Sequence, residues 1–268
     1  MKTSGQVVVV TGASSGIGFA IASLLSASGM KVYGLSRSKS TEKHDFTHIF
    51  ADVTKIETLI EAATFIKQNE GSIDVLVCCA GIGIGGSVEE TSETAYDKLF
   101  AVNVKGVFLT TKTFLPLLRE GEGKKIINIG SVAGVLPVPY QTFYSMSKAA
   151  IQAFSEALNN EVRPFGIQVA TVLPGDTKTA FTANREKNAS SEGSLYAIRE
   201  ERSLKKMELD EQKGRDPRSV ARIVFWLIKR KRLPIQVTVG FEYKLFVFLN
   251  RILPKRLVNW ILYKMYGR

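Results

Sequence analysis

The sequence predicts an α/β fold: a doubly wound, mostly parallel seven-stranded sheet with helices on both faces and a C-terminal helical extension. Short β-rich runs alternate with stretches whose apolar residues recur at helical spacing, which is how a parallel sheet covered on both sides is written in sequence. A glycine-rich turn joins the first such run to the first helical stretch. Beyond the last run, residues 241–268 add two further apolar stripes at helical spacing.

In chain order, residues 6–11, 31–36, 48–51, 73–79, 125–130, 167–173 and 235–240 read as strands. Residues 16–27, 56–69, 96–118, 143–162 and 218–229 read as helices. Right-handed crossovers between them give the doubly wound sheet. The exception is the polar, charge-rich stretch 176–214, too long for a simple connection; loops of that length are lids or disordered. Residues 1–240 are therefore expected to form one domain with a lid insertion at about 176–214. Residues 241–268 form a basic amphipathic extension: Leu245, Phe248, Leu249 and Ile252, then Pro254, then Val258, Ile261, Leu262 and Met265. Lys244, Arg251, Lys255, Arg256, Lys264 and Arg268 lie between these apolar positions. Two arrangements fit: the helices roof a pocket, or they lie on an anionic bilayer surface.

A chain of 268 residues that is 45% hydrophobic can bury a large core. Cys78 and Cys79, the only cysteines, are adjacent on a strand and point to opposite faces, which excludes a disulfide between them and a metal pair. His44 and His48 match no metal spacing and are expected at the surface, so no metal is expected. A reducing, cytoplasmic location fits this cysteine usage. The first residues hold four consecutive apolar side chains before the glycine turn, too few for a secretory segment or a membrane span. Of the net charge of +11, residues 213–268 carry 14 Lys/Arg against Asp216 and Glu242, so the rest of the chain is near neutral. That distribution argues against nucleic acid, which needs a basic face on the folded domain, and makes an anionic membrane surface the better partner.

The first strand runs into Thr11-Gly12-Ala13-Ser14-Ser15-Gly16-Ile17-Gly18. Glycines there permit a tight turn and close approach of the backbone to a pyrophosphate, and the following helix offers free N–H groups to the anion. Tyr144 and Lys148 stand four apart in a helical stretch and so share a face. A phenol is a poor base at neutral pH, and an adjacent ammonium is expected to favour the phenolate. Ser131, at the end of the fifth strand, can both donate to and accept from a substrate oxygen. No acid ends the second strand; Ser36-Arg37-Ser38 stands there, and Arg37 with Ser15 across the turn favours a 2′-phosphate, hence NADP(H) over NAD(H).

With these residues in order the chain resembles the short-chain dehydrogenase/reductase family, whose fold is Rossmann-like, over roughly residues 5–240. The glycine turn has the family's spacing, and Tyr144-Ser145-Met146-Ser147-Lys148 is its Tyr-x-x-x-Lys, with Ser131 thirteen residues earlier. The resemblance implies a carbonyl–alcohol oxidoreductase with Asn103, Ser131, Tyr144 and Lys148 as catalytic residues, Asn103 holding a relay water. It places cofactor contacts at Gly12, Ser14, Ser15, Gly16, Ile17, Gly18, Arg37, Asp52, Val53, Ala80, Gly81, Pro174, Gly175, Thr177 and Thr179, as well as Asn103, Tyr144 and Lys148. One departure is Cys79-Ala80-Gly81 where the family has Asn-Ala-Gly, so the brace that the asparagine supplies is expected to weaken. The C-terminal extension is similar to those of members acting on hydroxysteroids, retinoids or other lipophilic substrates, and the apolar run 134–140 is expected as a pocket wall. A homo-oligomer is expected. The alternative function is a non-catalytic cofactor-binding or membrane-scaffold protein that keeps the fold, which would have no need of an activated tyrosine.

Overall fold

The computed structural model describes residues 4–187 and 193–268. Every residue of β1 (Val7–Thr11) is buried, Val8, Val9 and Val10 completely. A strand covered on both faces has no polar alternation, which is why four consecutive valines stand here. Their side chains alternate between two cores. Val7 and Val9 join Leu59, Ile66, Phe114 and Ile151 on one face, and Val8 and Val10 join Ile21, Leu25, Val224 and Leu227 on the other.

After β1, in chain order, come α1 (Gly16–Ala27), β2 (Lys31–Ser36), β3 (Thr47–Phe50), α2 (Ile56–Glu70), β4 (Val75–Cys78), β5 (Ile84–Gly85) and α3 (Glu93–Phe100). These are followed by α4 (Gly106–Glu120), β6 (Lys125–Ile129), α5 (Thr142–Glu161), β7 (Gln168–Leu173) and β8 (Glu186–Lys187). Last are α6 (Ala197–Gln212), α7 (Pro217–Lys229), β9 (Gln236–Thr238), α8 (Phe241–Ile252) and α9 (Lys255–Leu262). Seven strands form one parallel sheet in the order β3-β2-β1-β4-β6-β7-β9. Helices α1 and α7 cover one face, and α2, α4 and α5 the other. The winding reverses between β1 and β4, and a crevice opens beyond the C-terminal ends of strands at such a reversal.

Two capping devices show how local chemistry sets the elements. Asp216 accepts from the Arg218 N–H at 2.7 Å with Pro217 at the first helical position, which starts α7. At its other end the buried Lys125 ammonium donates to the carbonyls of Ile228 and, at 2.8 Å, Arg230. A cation there complements the helix dipole.

The structure corrects the sequence expectations in three places. The helix expected at 96–118 is two helices joined by a π turn, Ala101–Lys105. That turn carries Asn103, whose side chain is fastened inward to the backbone of Ile82, and single π turns of this kind recur at functional sites. Stretch 176–214 is not a plain loop. It contains β8, paired with β5, and the whole of α6, whose buried face is Glu200, Ser203, Leu204 and Met207. Two of those four are polar, so the helical stripe is hidden in a charged sequence; residues 188–192 of the insertion lie outside the described residues. His44 and His48 are half-buried: His44 stacks on Phe46 at 4.0 Å and His48 bonds the Ser36 hydroxyl at 3.0 Å.

One carboxylate ties several of these segments together. Asp74, at the entry to β4, accepts from the N–H of Val7 at 2.9 Å and from those of Glu122 at 2.9 Å and Gly123 at 2.8 Å. It sets where β1 starts and how the chain turns from α4 into β6. Asp74→Ala is expected to cost about 1.5–3 kcal/mol, because it removes hydrogen bonds to a charged group. The check is the shift in the urea unfolding midpoint; an unchanged midpoint would mean that water replaces the carboxylate.

Candidate active site

Beyond the ends of β1 and β4 the chain makes the glycine turn. Gly12 has φ +71°, and a Cβ there would lie 2.8 Å from the Ala80 Cα, so only glycine allows this approach. The Thr11 hydroxyl accepts the N–H groups of Cys79 at 3.0 Å and Ala80 at 3.2 Å. The backbone at Cys79 and Ala80 is thus held to β1 by the Thr11 side chain. Ser15 precedes α1 without a capping side-chain bond, which leaves the N–H groups of the first turn turned towards the crevice.

That crevice is part of a cavity of about 850 Å³. Of the residues named from the sequence, Gly12, Ser14 through Gly18, Arg37, Asp52, Val53, Ala80, Gly81, Ser131, Tyr144, Lys148, Pro174, Gly175, Thr177 and Thr179 all line it. Asn103 lies buried beneath the surface: its Oδ1 accepts the Ile82 N–H at 2.8 Å, and its Nδ2 donates to the Ile82 carbonyl at 3.0 Å and to the Ser147 hydroxyl at 3.1 Å. Lys148 Nζ donates to the Ile129 carbonyl at 3.1 Å and stands 5.7 Å from the centroid of the Tyr144 ring. Asn103 Oδ1 and Lys148 Nζ both converge on Gly81.

The far side of the cavity is closed by the insertion and the extension. Phe181 places its ring 5.6 Å from that of Tyr144, and Met207 and Glu211 reach in from α6. From α8 and the residue after it come Phe246, Leu249, Asn250 and Leu253; from α9 and the turn after it, Val258, Ile261, Leu262 and Met265. Tyr243 anchors this roof by donating to Asp176 at 2.5 Å, and Tyr266 does so by donating to Asp210 on α6 at 3.0 Å.

The family model described as short chain dehydrogenase matches residues 6–190. The chain belongs to the short-chain dehydrogenase/reductase family. It is similar to a 3-ketodihydrosphingosine reductase of Bacteroides thetaiotaomicron, 38% identical over 98% of both chains. A solved short-chain dehydrogenase from Streptomyces avermitilis superposes with a TM-score of 0.79 at 31% identity, covering 96% of each chain. The protein is accordingly a short-chain oxidoreductase of the fold that binds nicotinamide cofactors.

In this short-chain dehydrogenase the electrostatics of the pair differ from the simple expectation. Burial pushes the Tyr144 phenol up to about 12, against the opposing effect of its hydrogen bond to Ser131. Lys148 does not lower it, because its ammonium faces the Ile129 carbonyl and the ring rather than the hydroxyl. Burial also lowers Lys148 itself, to about 8. At the other end of the cavity burial tends to raise Asp52, but bonds from the Thr54 N–H and hydroxyl, with Arg37 and Lys55 nearby, hold it below its ordinary value.

Two further expectations need correcting. Of the run 134–140 only Leu136 and Val138 line the cavity; Val135 instead packs under Val247 of α8. The α8 stripe is offset: Leu249 and Asn250 face the cavity with Phe246 at its rim, while Leu245, Phe248 and Ile252 are exposed and outside it. Asn250 explains the offset, because its buried amide bonds the Val135 carbonyl at 3.3 Å. No local spacing in the sequence marks Asp176, Phe181, Glu211 or Tyr243; only the folding back of the insertion and of α8 brings them to the site.

Lys148 gives a pH signature. Between pH 8 and its ordinary value of 10.5 the unfolded chain holds a proton that the folded one has lost, so stability rises with pH across that window. Below pH 8 the buried ammonium destabilises the fold. Urea midpoints measured from pH 7 to 10 are expected to climb more steeply for the wild type than for Lys148→Met; parallel curves would place the lysine in contact with water.

Proposed function

We propose that this enzyme is an NADP(H)-dependent reductase of a long-chain lipophilic ketone, with Tyr144 as the acid. One observation carries the reading: Tyr144 and Lys148 line a single cavity that has the glycine turn and the α1 N-terminus on one side and an apolar roof on the other. At about 850 Å³ it lies in the upper part of the roughly 300–1,000 Å³ range of ligand pockets.

The residues present fit a dinucleotide. Gly12 leaves space that a Cβ would fill, and the first turn of α1 offers free N–H groups for a pyrophosphate. Arg37, flanked by Ser36 and Ser38 and facing the same cavity as Ser15, suits a 2′-phosphate. When bound, the nicotinamide supplies the hydride to the carbonyl carbon. Ser131 orients the carbonyl oxygen by donating to it. Tyr144, a phenol that burial holds further from ionisation, gives its proton to that oxygen as charge develops there. Lys148, still an ammonium at pH 7 and the more acidic of the two groups, is the source of the proton that restores the phenol. Asn103 holds the Ile82 backbone and, through Ser147, the turn of α5 that carries Tyr144. The apolar roof and the similarity to a 3-ketodihydrosphingosine reductase support a long acyl chain on the substrate. The basic extension 241–268 supports a place at the periphery of an anionic membrane, where such a substrate resides.

NADPH oxidation with 3-ketodihydrosphingosine is expected to be much faster than with a small soluble ketone; no turnover of any long-chain ketone would reject the reading. Tyr144→Phe is expected to lower turnover by about 10²–10⁴-fold with cofactor affinity nearly unchanged. A variant that retains a tenth of the rate would remove Tyr144 from the chemistry. Arg37→Ala is expected to weaken NADPH by about tenfold to a hundredfold, and NADH far less. Equal losses in a fluorescence titration would show that Arg37 does not read the 2′-phosphate.

A further inference from the structure

Helix α8 is apolar on both of its faces. Its inner face lines the cavity, as described above. On its outer face Phe241, Phe248 and Ile252 are 79%, 57% and 60% exposed, and on α9 Leu257 and Trp260 are exposed beside them in sequence, Trp260 by 56%. None of these five belongs to the cavity wall. A helix that is hydrophobic all round is ordinarily buried on all sides. Phe246, Ile261 and Met265 are both exposed and part of the wall, so apolar side chains of α8, α9 and the turn after α9 stand at the rim of the cavity.

The charges on this surface select what covers it. Lys244, Arg251, Lys255, Arg256 and Lys264 are exposed on the same two helices and the turn after them. The one carboxylate of residues 217–268, Glu242, is engaged by Arg215 at 2.8 Å. In a two-fold contact between copies of this chain the same patch would meet itself and bring cations against cations. An anionic lipid surface meets the cations with opposite charge and takes the aromatic side chains into the headgroup boundary, where tryptophan is favoured. Lys264 lies 5.7 Å over the Trp260 ring, so cation and aromatic are presented together.

We propose that the outer face of α8 and α9 docks on an anionic bilayer, and that the cavity receives its substrate past Phe246, Ile261 and Met265 directly from the lipid. The loading route rests on the lipophilic-ketone reading; the docking does not. Among the described residues no helix is long and apolar enough to cross a membrane, so the contact is with one surface.

The test uses the full chain with vesicles of phosphatidylglycerol or of phosphatidylcholine. Co-sedimentation is expected with phosphatidylglycerol at low salt and is lost at high salt. In a Trp226→Phe background, Trp260 fluorescence is expected to be quenched by brominated phosphatidylglycerol. Arg251→Gln with Arg256→Gln should weaken vesicle binding by about fivefold for each charge, and Phe248→Ser with Trp260→Ser by about tenfold or more. Both double variants should slow reduction of a ketone carried in vesicles and leave a small soluble ketone unaffected. Absence of binding at low salt, or an unquenched Trp260, would overturn the docking, as would a dimer in solution that the Phe248→Ser and Trp260→Ser pair dissociates. An equal fall on both ketones would overturn the loading route. Sedimentation reads no turnover, so an enzyme that binds vesicles and reduces no ketone counts against the function reading and leaves the docking in place.

Discussion

Everything in this molecule is arranged around a parallel sheet whose central strand is covered on both faces. Parallel strands need crossover connections, and the helices in those connections bury Val7 and Val9 on one side and Val8 and Val10 on the other. The winding must reverse once for both faces to be covered, and it reverses between β1 and β4. There the backbones diverge, with Gly12 packed against Ala80 and the Thr11 hydroxyl binding both N–H groups of residues 79 and 80. The site is thus a consequence of the topology, and the side chains in it are held by the rigid elements that create it.

The reactive pair illustrates how burial and position oppose each other. Tyr144 and Lys148 share a helix face, and in water an ammonium beside a phenol would make it more acidic. Within the closed cavity, burial disfavours both charged forms, raising the phenol and lowering the amine. The two values, ordinarily near 10.0 and 10.5, separate to about 12 and about 8, so the ammonium becomes the more acidic of the two groups. The side chains across the cavity from the pair include those of α6, α8 and α9, all outside the core sheet.

Those roofing elements are fastened by polar contacts and by a small apolar cluster in which Val247 of α8 packs with Val132 and Leu173. Tyr243 to Asp176, Tyr266 to Asp210 and Arg215 to Glu242 tie the extension to the body, while Arg185, buried in the insertion, pairs with Glu211 at the cavity. Asp176 is itself raised, by burial first and by the neighbouring Glu211 and Asp210, although its bond to Tyr243 opposes this.

The sequence alone determined the sheet, its helices and the family, because these rest on local periodicity and on residues at fixed separations. The four valines, the glycine turn, Ser131 and the Tyr144–Lys148 pair could be read in this way, as could the break at Pro254. Tertiary structure alone decided what lies across the cavity. The stripe of α8 was misplaced by its all-round apolarity, which leaves no polar face to show which side is inward; the buried Asn250 amide settles that. Helix α6 was hidden because Glu200, polar by composition, is buried by accepting the Ser87 N–H from 113 residues away. The same holds for Asp176, Phe181, Glu211 and the elevated Tyr144, since desolvation depends on which distant segments come to cover a side chain, and spacing along the chain does not encode it.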